Sequence, residues 1–189
     1  MSRFLFAIAL FGFLSCNQVT KNEQNNSSVK NNVKDTVVAD TLEVQQKAVD
    51  PIHFIREKVT HINTTTLAKK NFEFMCDELT KVDFFYENQE IVKISIDFGT
   101  VGDVYAKEDY YYDKGKLIFF YEFVEGGPAC DGCIKKNEYR SYIKDDKVFK
   151  YLKDKEVQKC RKCEFGPSSR QYRLLTAKTE QEVKGILCR

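Results

Sequence analysis

The sequence lacks a strong charge of either sign. Its 30 lysines and arginines nearly balance 28 aspartates and glutamates, which leaves a formal net charge of +2 over 189 residues. Binding to nucleic acid depends on a clear excess of positive charge that displaces counterions from the phosphates. We therefore expect no nucleic-acid partner, and the near balance also argues against a strongly acidic one.

Catalytic signatures are scarce as well. The only two histidines, His53 and His61, fall in one predicted helix, without a second cluster to complete a metal site. The chain contains no Gly-x-Ser-x-Gly elbow, no His-Glu-x-x-His pair and no glycine-rich phosphate loop. Carboxylates are numerous, but nothing in the sequence brings two of them together. We therefore predict a protein that is not an enzyme, and we assign no catalytic residue.

Long apolar segments are missing except at the N-terminus. Arg3 is followed by an apolar run over residues 4–14, which is too short to cross a membrane, since a spanning helix takes about 20 residues. This pattern predicts a signal peptide over residues 1–15. It ends in Phe-Leu-Ser-Cys, which resembles a bacterial lipobox, so we expect Cys16 to carry the lipid (palmitate) of a lipoprotein. An ordinary secretory signal that happens to contain Cys16 is the alternative.

Residues 17–49 contain six asparagines and no aromatic residue. Such a composition cannot bury enough apolar surface to offset the entropy lost on folding. We therefore interpret residues 16–49 as the lipidated cysteine and a disordered tether with a reach of roughly 30 Å. The expected location is the cell envelope, with the lipid in the outer membrane. The periplasmic face is favoured, because no acidic run follows Cys16 to signal export to the surface.

Residues 50–189 have the length of a single domain with its own core. The first segment predicts an amphipathic helix, because Asp50 is a good N-cap and Pro51 suits the first helical position. Apolar residues then recur with helical spacing at Ile52, Ile55, Val59 and Ile62.

After residue 66 the apolar pattern changes to the alternation typical of β-strands, with tight turns at ENQ, DKG and the DD of IKDDK. Helical spacing returns in the tail, where Thr179 and Glu182 form a capping-box pattern. Either one helix starts at Ser168 or a shorter one starts at Thr179. The predicted fold class is therefore α+β: an antiparallel β-meander of about five to seven strands, with an N-terminal amphipathic helix and a C-terminal helix.

Two stretches of the strand region, IVKISIDFGTVGDVYAKEDYYYDKGKLIFFYEF and NEYRSYIKDDKVFKYL, carry a resemblance to known proteins. Together with the preceding helix that ends in Ile62–Asn63, they resemble uncharacterised lipoproteins of Bacteroidota, in which YYYDxGKLIF-type hairpins follow such a helix. The resemblance covers residues 50–153 and implies a lipoprotein of this layout. It implies no activity, and the cysteine motifs look like a local addition to the family pattern.

Seven cysteines minus the acylated one leave six, and an even number in an exported chain is typical of a disulfide framework. Four of them form two Cys-x-x-Cys motifs, Cys130 with Cys133 and Cys160 with Cys163. The chain between the motifs has the pattern of one hairpin, so we expect both motifs at the same end of the sheet. Two disulfides from one loop to the other are favoured, each stabilising the fold by about 3.5 kcal/mol.

Two other arrangements of these four cysteines remain open. Two Cys-x-x-Cys motifs also supply the four thiolates of a tetrahedral zinc site, which would make zinc a cofactor. A redox-active pair is the third arrangement, because neighbouring lysines and arginines lower the pKa of a thiol. Neither motif, however, opens a helix after a strand, as thioredoxin-like motifs do.

The last two cysteines are Cys76, on the first predicted strand, and Cys188, at the end of the terminal helix. A bridge between them would pin that helix to the sheet and contribute up to about 4.8 kcal/mol. Two unpaired buried thiols are the alternative.

The segment YYYDKGKLIFFYEF is dense in aromatic residues. Two adjacent strands with a buried face explain it most simply. Three successive tyrosines must occupy both faces of a strand, so at least one of Tyr110, Tyr111 and Tyr112 should point away from the core. An exposed tyrosine platform for a partner or a glycan is the alternative.

Together these patterns favour a non-enzymatic, lipid-anchored envelope protein whose domain binds a partner, such as another envelope protein. The hypothesis from a different class is an envelope protein that uses its Cys-x-x-Cys loops to bind zinc or to exchange disulfides with thiols.

Overall fold

The computed structural model describes residues 50–128 and 130–188. The predicted signal peptide, the lipidation site Cys16 and the predicted tether lie outside the described residues. Within the described part of the chain, no helix is long and apolar enough to span a membrane.

The first element is the helix α1 (Pro51–Thr64), as predicted. It begins there because the Asp50 side chain accepts a hydrogen bond from the backbone N–H of Ile52 at 3.0 Å. Its apolar stripe faces inward, and Ile55 and Ile62 are buried. The stripe therefore places one side of α1 against the sheet, as amphipathic spacing requires.

The sheet has eight antiparallel strands, one more than the upper end of the predicted range. Each strand pairs with its neighbours in sequence order, so the topology is the predicted meander. The strands are β1 (Ala68–Met75), β2 (Leu79–Glu87), β3 (Glu90–Val101), β4 (Val104–Asp113), β5 (Lys116–Gly126), β6 (Lys135–Lys144), β7 (Lys147–Lys153) and β8 (Glu156–Val157).

Tight turns of two residues, both with positive φ, connect several of these strands. This backbone conformation matches the right-handed twist of paired strands and closes a short hairpin. The turns are Asn88–Gln89, Lys114–Gly115, Asp145–Asp146 and Asp154–Lys155. The last of them was not predicted, and the strand that follows it is β8.

The C-terminal tail forms two helices instead of one. They are α2 (Arg170–Thr176) and α3 (Glu180–Leu187). The predicted capping box is present: the Thr179 hydroxyl accepts from the Glu182 N–H, and the Glu182 carboxylate accepts from the Thr179 N–H. Both predicted starting points are therefore close to real helix starts.

Helices cover the sheet on both faces. On one face, α2 and α3 bury Leu174 and Val183 against residues such as Phe84 and Tyr112. On the other, α1 buries Ile55 and Ile62 against residues such as Phe119. We call these the α2–α3 face and the α1 face.

The covering of both faces changes the interpretation of the tyrosine run. Tyr110 and Tyr112 point into the α2–α3 face, and Tyr111 points into the α1 face. All three are at least 97% buried. The tyrosines do occupy both faces of β4, but both faces are core, so none of the three forms an exposed platform.

Candidate functional site

The six cysteines of the domain lie in three pairs at disulfide distance. The bridge between Cys76 and Cys188 was predicted, and their Cα atoms are 5.3 Å apart across 112 residues of chain. It joins the residue after β1 to the residue after α3, and so holds the α2–α3 face closed at this edge of the sheet.

The two Cys-x-x-Cys motifs each close on themselves. Cys130 pairs with Cys133 and Cys160 pairs with Cys163, with Cα–Cα distances of 5.3 and 5.4 Å. The predicted pairing from one loop to the other is therefore wrong. Each bridge closes a loop of only a few residues. It therefore lowers the entropy of the unfolded chain less than the predicted cross-loop bridges would have done.

The two motifs do not meet because the chain reverses once more than predicted. After the turn at Asp154–Lys155 it runs back along β7, where the carbonyl of Cys163 accepts from the N–H of Val148 at 2.8 Å. Val148 pairs with Ile143, near the far end of β6 from Cys133. The two motifs are thus separated by roughly 25 Å along the strand direction.

This separation is incompatible with the zinc site that the four cysteines would have shared. Zinc needs its thiolates within about 2.3 Å of one ion. Across residues 50–128 and 130–188, no group of three or more His, Cys, Asp or Glu side chains is placed to hold a metal ion.

The surroundings of the two motifs differ. The first is held at its base, because the carbonyl of Cys133 lies so close to Gly127 that a Cβ there would collide with it. The second is held by Arg161, whose Nη2 lies 2.5 Å from Glu122 Oε2 and whose guanidinium stacks over the Tyr139 ring. Each motif exposes one cysteine, Cys130 or Cys163, and half-buries the other.

The two histidines are exposed on the outer side of α1. His53 Nδ1 lies 3.3 Å from Glu57, and His61 Nε2 lies 2.7 Å from Glu87. Neither lines the cavity beneath α1.

A pocket of about 490 Å³ lies between α1 and the sheet. We call it the α1 pocket. Its volume falls within the range of small-molecule sites. It is lined by Ile55, Arg56, Val59, Thr60, Asn63, Asp109, Tyr111, Phe119, Tyr121, Arg140 and Tyr142.

Strand register arranges the floor of the α1 pocket in two rows. In the first, Asp109 of β4 pairs with Tyr121 of β5, which pairs with Arg140 of β6. A carboxylate and a guanidinium therefore stand on either side of a tyrosine, with about 10 Å between their Cα atoms.

The second row is entirely aromatic. Tyr111, Phe119 and Tyr142 pair across the same three strands. Their ring centroids are 5.6 Å apart for Tyr111 and Phe119 and 5.1 Å apart for Phe119 and Tyr142. The pocket therefore combines an apolar aromatic wall with a floor that carries opposite charges at its two ends.

Asp109 is the least satisfied charged group of this pocket. The residue is only 7% exposed, and its Oδ1 has no hydrogen-bond partner among the described residues. The nearest cation is Lys93, whose Nζ lies 3.6 Å from Oδ2. Lys93 instead donates to the Asn63 side chain at 3.0 Å and lies over the Tyr111 ring. A buried acceptor without a donor costs free energy, so this oxygen calls for an explanation.

The opposite end of the pocket is positively charged. Arg140 is bound to Glu138 at 2.5 Å and lies 5.8 Å from the Tyr121 ring. Arg56 reaches across from α1, and its Nε donates to the Tyr142 hydroxyl at 3.5 Å. No carboxylate of the described residues lies within ion-pair distance of Arg56, so its charge is available to a ligand.

Burial also affects the tyrosines of the floor. It raises the pKa of Tyr121 to about 12, with Glu138 adding to the effect. Burial and the neighbouring charge of Asp109 also raise the pKa of Tyr111 above its ordinary value. Both phenols are therefore neutral at physiological pH and serve as hydrogen-bonding and apolar surface.

No protein-family model, curated protein or solved structure matches this chain. The case for a function therefore depends on the chemistry of the site itself.

The α2–α3 face holds a second cavity, of about 580 Å³, in which the carboxylates are paired. Nη2 of Arg170 lies 2.6 Å from both oxygens of Glu108, which also accepts from the Tyr110 hydroxyl. Burial raises the pKa of Glu122, and Arg161 opposes that shift. The acids here are thus hydrogen-bonded directly to cations of the protein, whereas Asp109 has only a longer ion pair with Lys93.

Sequence reasoning missed the residues of the α1 pocket. Asp109, Tyr121 and Arg140 lie on three different strands, and only strand register brings them into one row. One signal was present in the sequence: Asp109 directly precedes three consecutive tyrosines, so it is a charged residue beside an aromatic run of the same strand. A charged residue in such a strand is either paired or functional.

Proposed function

We propose that the protein is a lipid-anchored protein of the cell envelope whose domain binds a ligand in the α1 pocket. The observation that carries the binding function is the buried Oδ1 of Asp109, which no donor of the described chain satisfies. Burying a carboxylate is costly, and a ligand that brings a donor would recover part of that cost.

A binding function fits this pocket better than catalysis. Among the described residues, its lining includes no histidine, cysteine or serine, and Asp109 is the only carboxylate there. General acid–base or nucleophilic catalysis normally needs a second group within reach of the first. One carboxylate among aromatic side chains instead provides orientation and affinity.

The anchor can be tested on the full chain by metabolic labelling with a fatty acid. The wild type should incorporate the label and sediment with membranes. Cys16→Ser should do neither, because it lacks the acceptor thiol. An unlabelled wild type would contradict the lipid anchor.

Binding can be tested by native mass spectrometry of the domain after incubation with the small-molecule fraction of an envelope extract. We expect a bound small molecule on the wild type and its loss in Thr60→Trp, which places a large ring in the pocket. His53→Trp is the matched control, because His53 lies on the same helix outside the pocket. An adduct retained by Thr60→Trp, or none on the wild type, would contradict a ligand site here.

A second candidate function is thiol–disulfide exchange. The observation that favours it is that each Cys-x-x-Cys motif closes its own bridge and exposes one sulfur-bearing residue, Cys130 or Cys163. In such an exchange a partner thiolate attacks one sulfur and forms a mixed disulfide, which the partner's second thiol resolves. The partner dithiol is oxidised to a disulfide, and the motif gains two electrons and two protons as two thiols.

The test of this candidate is equilibration of the domain with a dithiol and its disulfide over a range of ratios, with free thiols counted by mass. Reversible reduction of one Cys-x-x-Cys pair, while Cys76–Cys188 stays oxidised, would support exchange. Reduction of all three pairs together, only on unfolding, would contradict it.

A further inference from the structure

The α1 pocket carries opposite charges at its two ends, which limits the ligands that it can accept. Asp109 and Arg140 stand at the ends of one row, with Tyr121 between them. Arg56 adds a second positive charge from the helix side. A ligand with a single charge would meet a group of the same sign at one end, whereas a zwitterion would complement both.

The acidic end leaves one carboxylate oxygen open to a donor from the ligand. Oδ1 of Asp109 has no partner among the described residues, and Lys93 is too far from Oδ2 for a hydrogen bond, at 3.6 Å. The carboxylate of an aspartate rotates readily about χ2, so either oxygen can turn towards the pocket that Asp109 lines. An ammonium group is a charged donor, which a carboxylate binds about twice as strongly as a neutral one.

The aromatic row suits a cation near Asp109 and an apolar group beyond it. The face of Tyr111, beside Asp109, attracts a positive charge, as its contact with Lys93 at 4.9 Å from the ring centroid illustrates. Phe119 and Tyr142 continue the row towards α1, where Ile55 and Val59 complete an apolar wall. This wall can hold a hydrophobic side chain.

The basic end provides a partner for an anion. Arg140 is already bound to Glu138, so its charge is partly compensated. Arg56 has only the Tyr142 hydroxyl as a side-chain partner among the described residues, at 3.5 Å. Its guanidinium is therefore the group that can bind a ligand carboxylate with two parallel hydrogen bonds.

We infer that the α1 pocket binds a small zwitterion, an α-amino acid with an apolar side chain, whose ammonium group is bound by Asp109 and whose carboxylate is bound by Arg56. The inference rests on the proposed binding function and adds the chemical class of its ligand. The geometry behind it is the row of Asp109, Tyr121 and Arg140 beneath α1.

The test is calorimetric titration of the domain with three probes that share one apolar group. L-phenylalanine carries both charges, phenethylamine only the ammonium, and hydrocinnamate only the carboxylate. We expect L-phenylalanine to bind at least about tenfold more tightly than either of the others, since each charged hydrogen bond is worth at least that factor. Equal affinity for hydrocinnamate would overturn the role of Asp109, and equal affinity for phenethylamine that of Arg56.

Two variants locate the two charges. Asp109→Asn should weaken L-phenylalanine at least about tenfold and leave hydrocinnamate nearly unchanged. Arg56→Gln should also weaken L-phenylalanine at least about tenfold, but leave phenethylamine nearly unchanged. His53→Gln, on the exposed side of α1, is the control. If Asp109→Asn leaves the affinity for L-phenylalanine unchanged, Oδ1 serves only an internal water and the assignment is wrong.

The two levels of the proposal fail differently. If none of the three probes binds but Thr60→Trp still removes an adduct acquired from the envelope extract, the pocket is a ligand site and the zwitterion class is wrong. If the adduct is also missing or insensitive to Thr60→Trp, the proposed binding function fails as well.

Discussion

Glu108 and Asp109 are consecutive residues of β4, and their carboxylates enter opposite faces of the same sheet. Glu108 lies on the α2–α3 face, where Arg170 binds both of its oxygens and the Tyr110 hydroxyl donates to it. Asp109 lies on the α1 face, where one oxygen has no partner in the described chain and the nearest amine is 3.6 Å from the other. The chemistry of the two side chains is nearly the same, and only their surroundings differ.

The difference between the two carboxylates bears on the proposed roles of the two faces. A buried carboxylate that is fully paired contributes to a unique packing. Its removal leaves the charge of its cationic partner uncompensated. A buried carboxylate with an open lone pair costs stability, which a protein tolerates where the group has a function. The α2–α3 face is thus the structural side of the sheet, and the open oxygen of Asp109 supports the proposal that the α1 face binds a ligand.

The Cys76–Cys188 bridge reinforces the structural side. We expect Cys76→Ser with Cys188→Ser to lower the free energy of unfolding by about 4 kcal/mol, because the bridge closes a loop of more than a hundred residues in the unfolded chain. Guanidinium denaturation of the oxidised proteins measures this loss.

The matched control for that variant is Cys130→Ser with Cys133→Ser. This bridge spans a sequence separation of only 3, so its removal should cost about 2 kcal/mol at most. If both double variants lost the same stability, the long bridge would not be acting through the unfolded chain.

A smaller effect is expected from Glu108→Gln, which leaves the guanidinium of Arg170 without its carboxylate. We expect a loss of about 2 to 3 kcal/mol, below the usual range for a broken buried pair because Arg170 keeps some exposure to water. Adding Arg170→Gln should restore part of the loss, since it removes the uncompensated charge. A double variant less stable than Glu108→Gln would argue against that explanation.

High pH should lower the free energy of unfolding through groups on both faces. We expect a smaller loss than that caused near neutral pH by removing the Cys76–Cys188 bridge or by Glu108→Gln. Burial raises the pKa of Tyr121 on the α1 face and of Tyr172 beside the α2–α3 face to about 12 each, above the ordinary value of 10.0. Both phenols are half-buried, and the stability that their neutral forms contribute is fully present below pH 10 and is lost as the pH rises towards 12. Denaturation at several alkaline pH values, with tyrosinate absorbance, tests this; phenols that ionise near pH 10 in a folded protein would contradict it.

Much of the fold follows from local patterns. Asp50 and Pro51 mark the start of α1, and Thr179 with Glu182 marks the start of α3, because caps act within one helical turn. The Cys76–Cys188 bridge was also predicted, since it required only that the first strand and the terminal helix be recognised. Local chemistry is sufficient for these features.

The errors come from one unrecognised turn and from strand register. The turn at Asp154–Lys155, where both residues have positive φ, was not recognised, and it makes the reversal that separates the two Cys-x-x-Cys motifs. The row from Asp109 to Arg140 depends on which residues of three strands face each other, and a shift of one residue would place it on the other face. A single sequence does not specify that register.

The most direct test of the account compares Glu108→Gln with Asp109→Asn in the free energy of unfolding, measured in the same buffer without added ligand. Both substitutions replace a carboxylate by an amide of the same shape on adjacent positions of β4. We predict that Glu108→Gln loses about 2 to 3 kcal/mol and Asp109→Asn at most about 1 kcal/mol, because only the first breaks direct hydrogen bonds between opposite charges, whereas Lys93, at 3.6 Å from Asp109, keeps its hydrogen bond to Asn63. Equal losses would mean that Asp109 is as much a structural group as Glu108, and would contradict the assignment of the α1 face to binding.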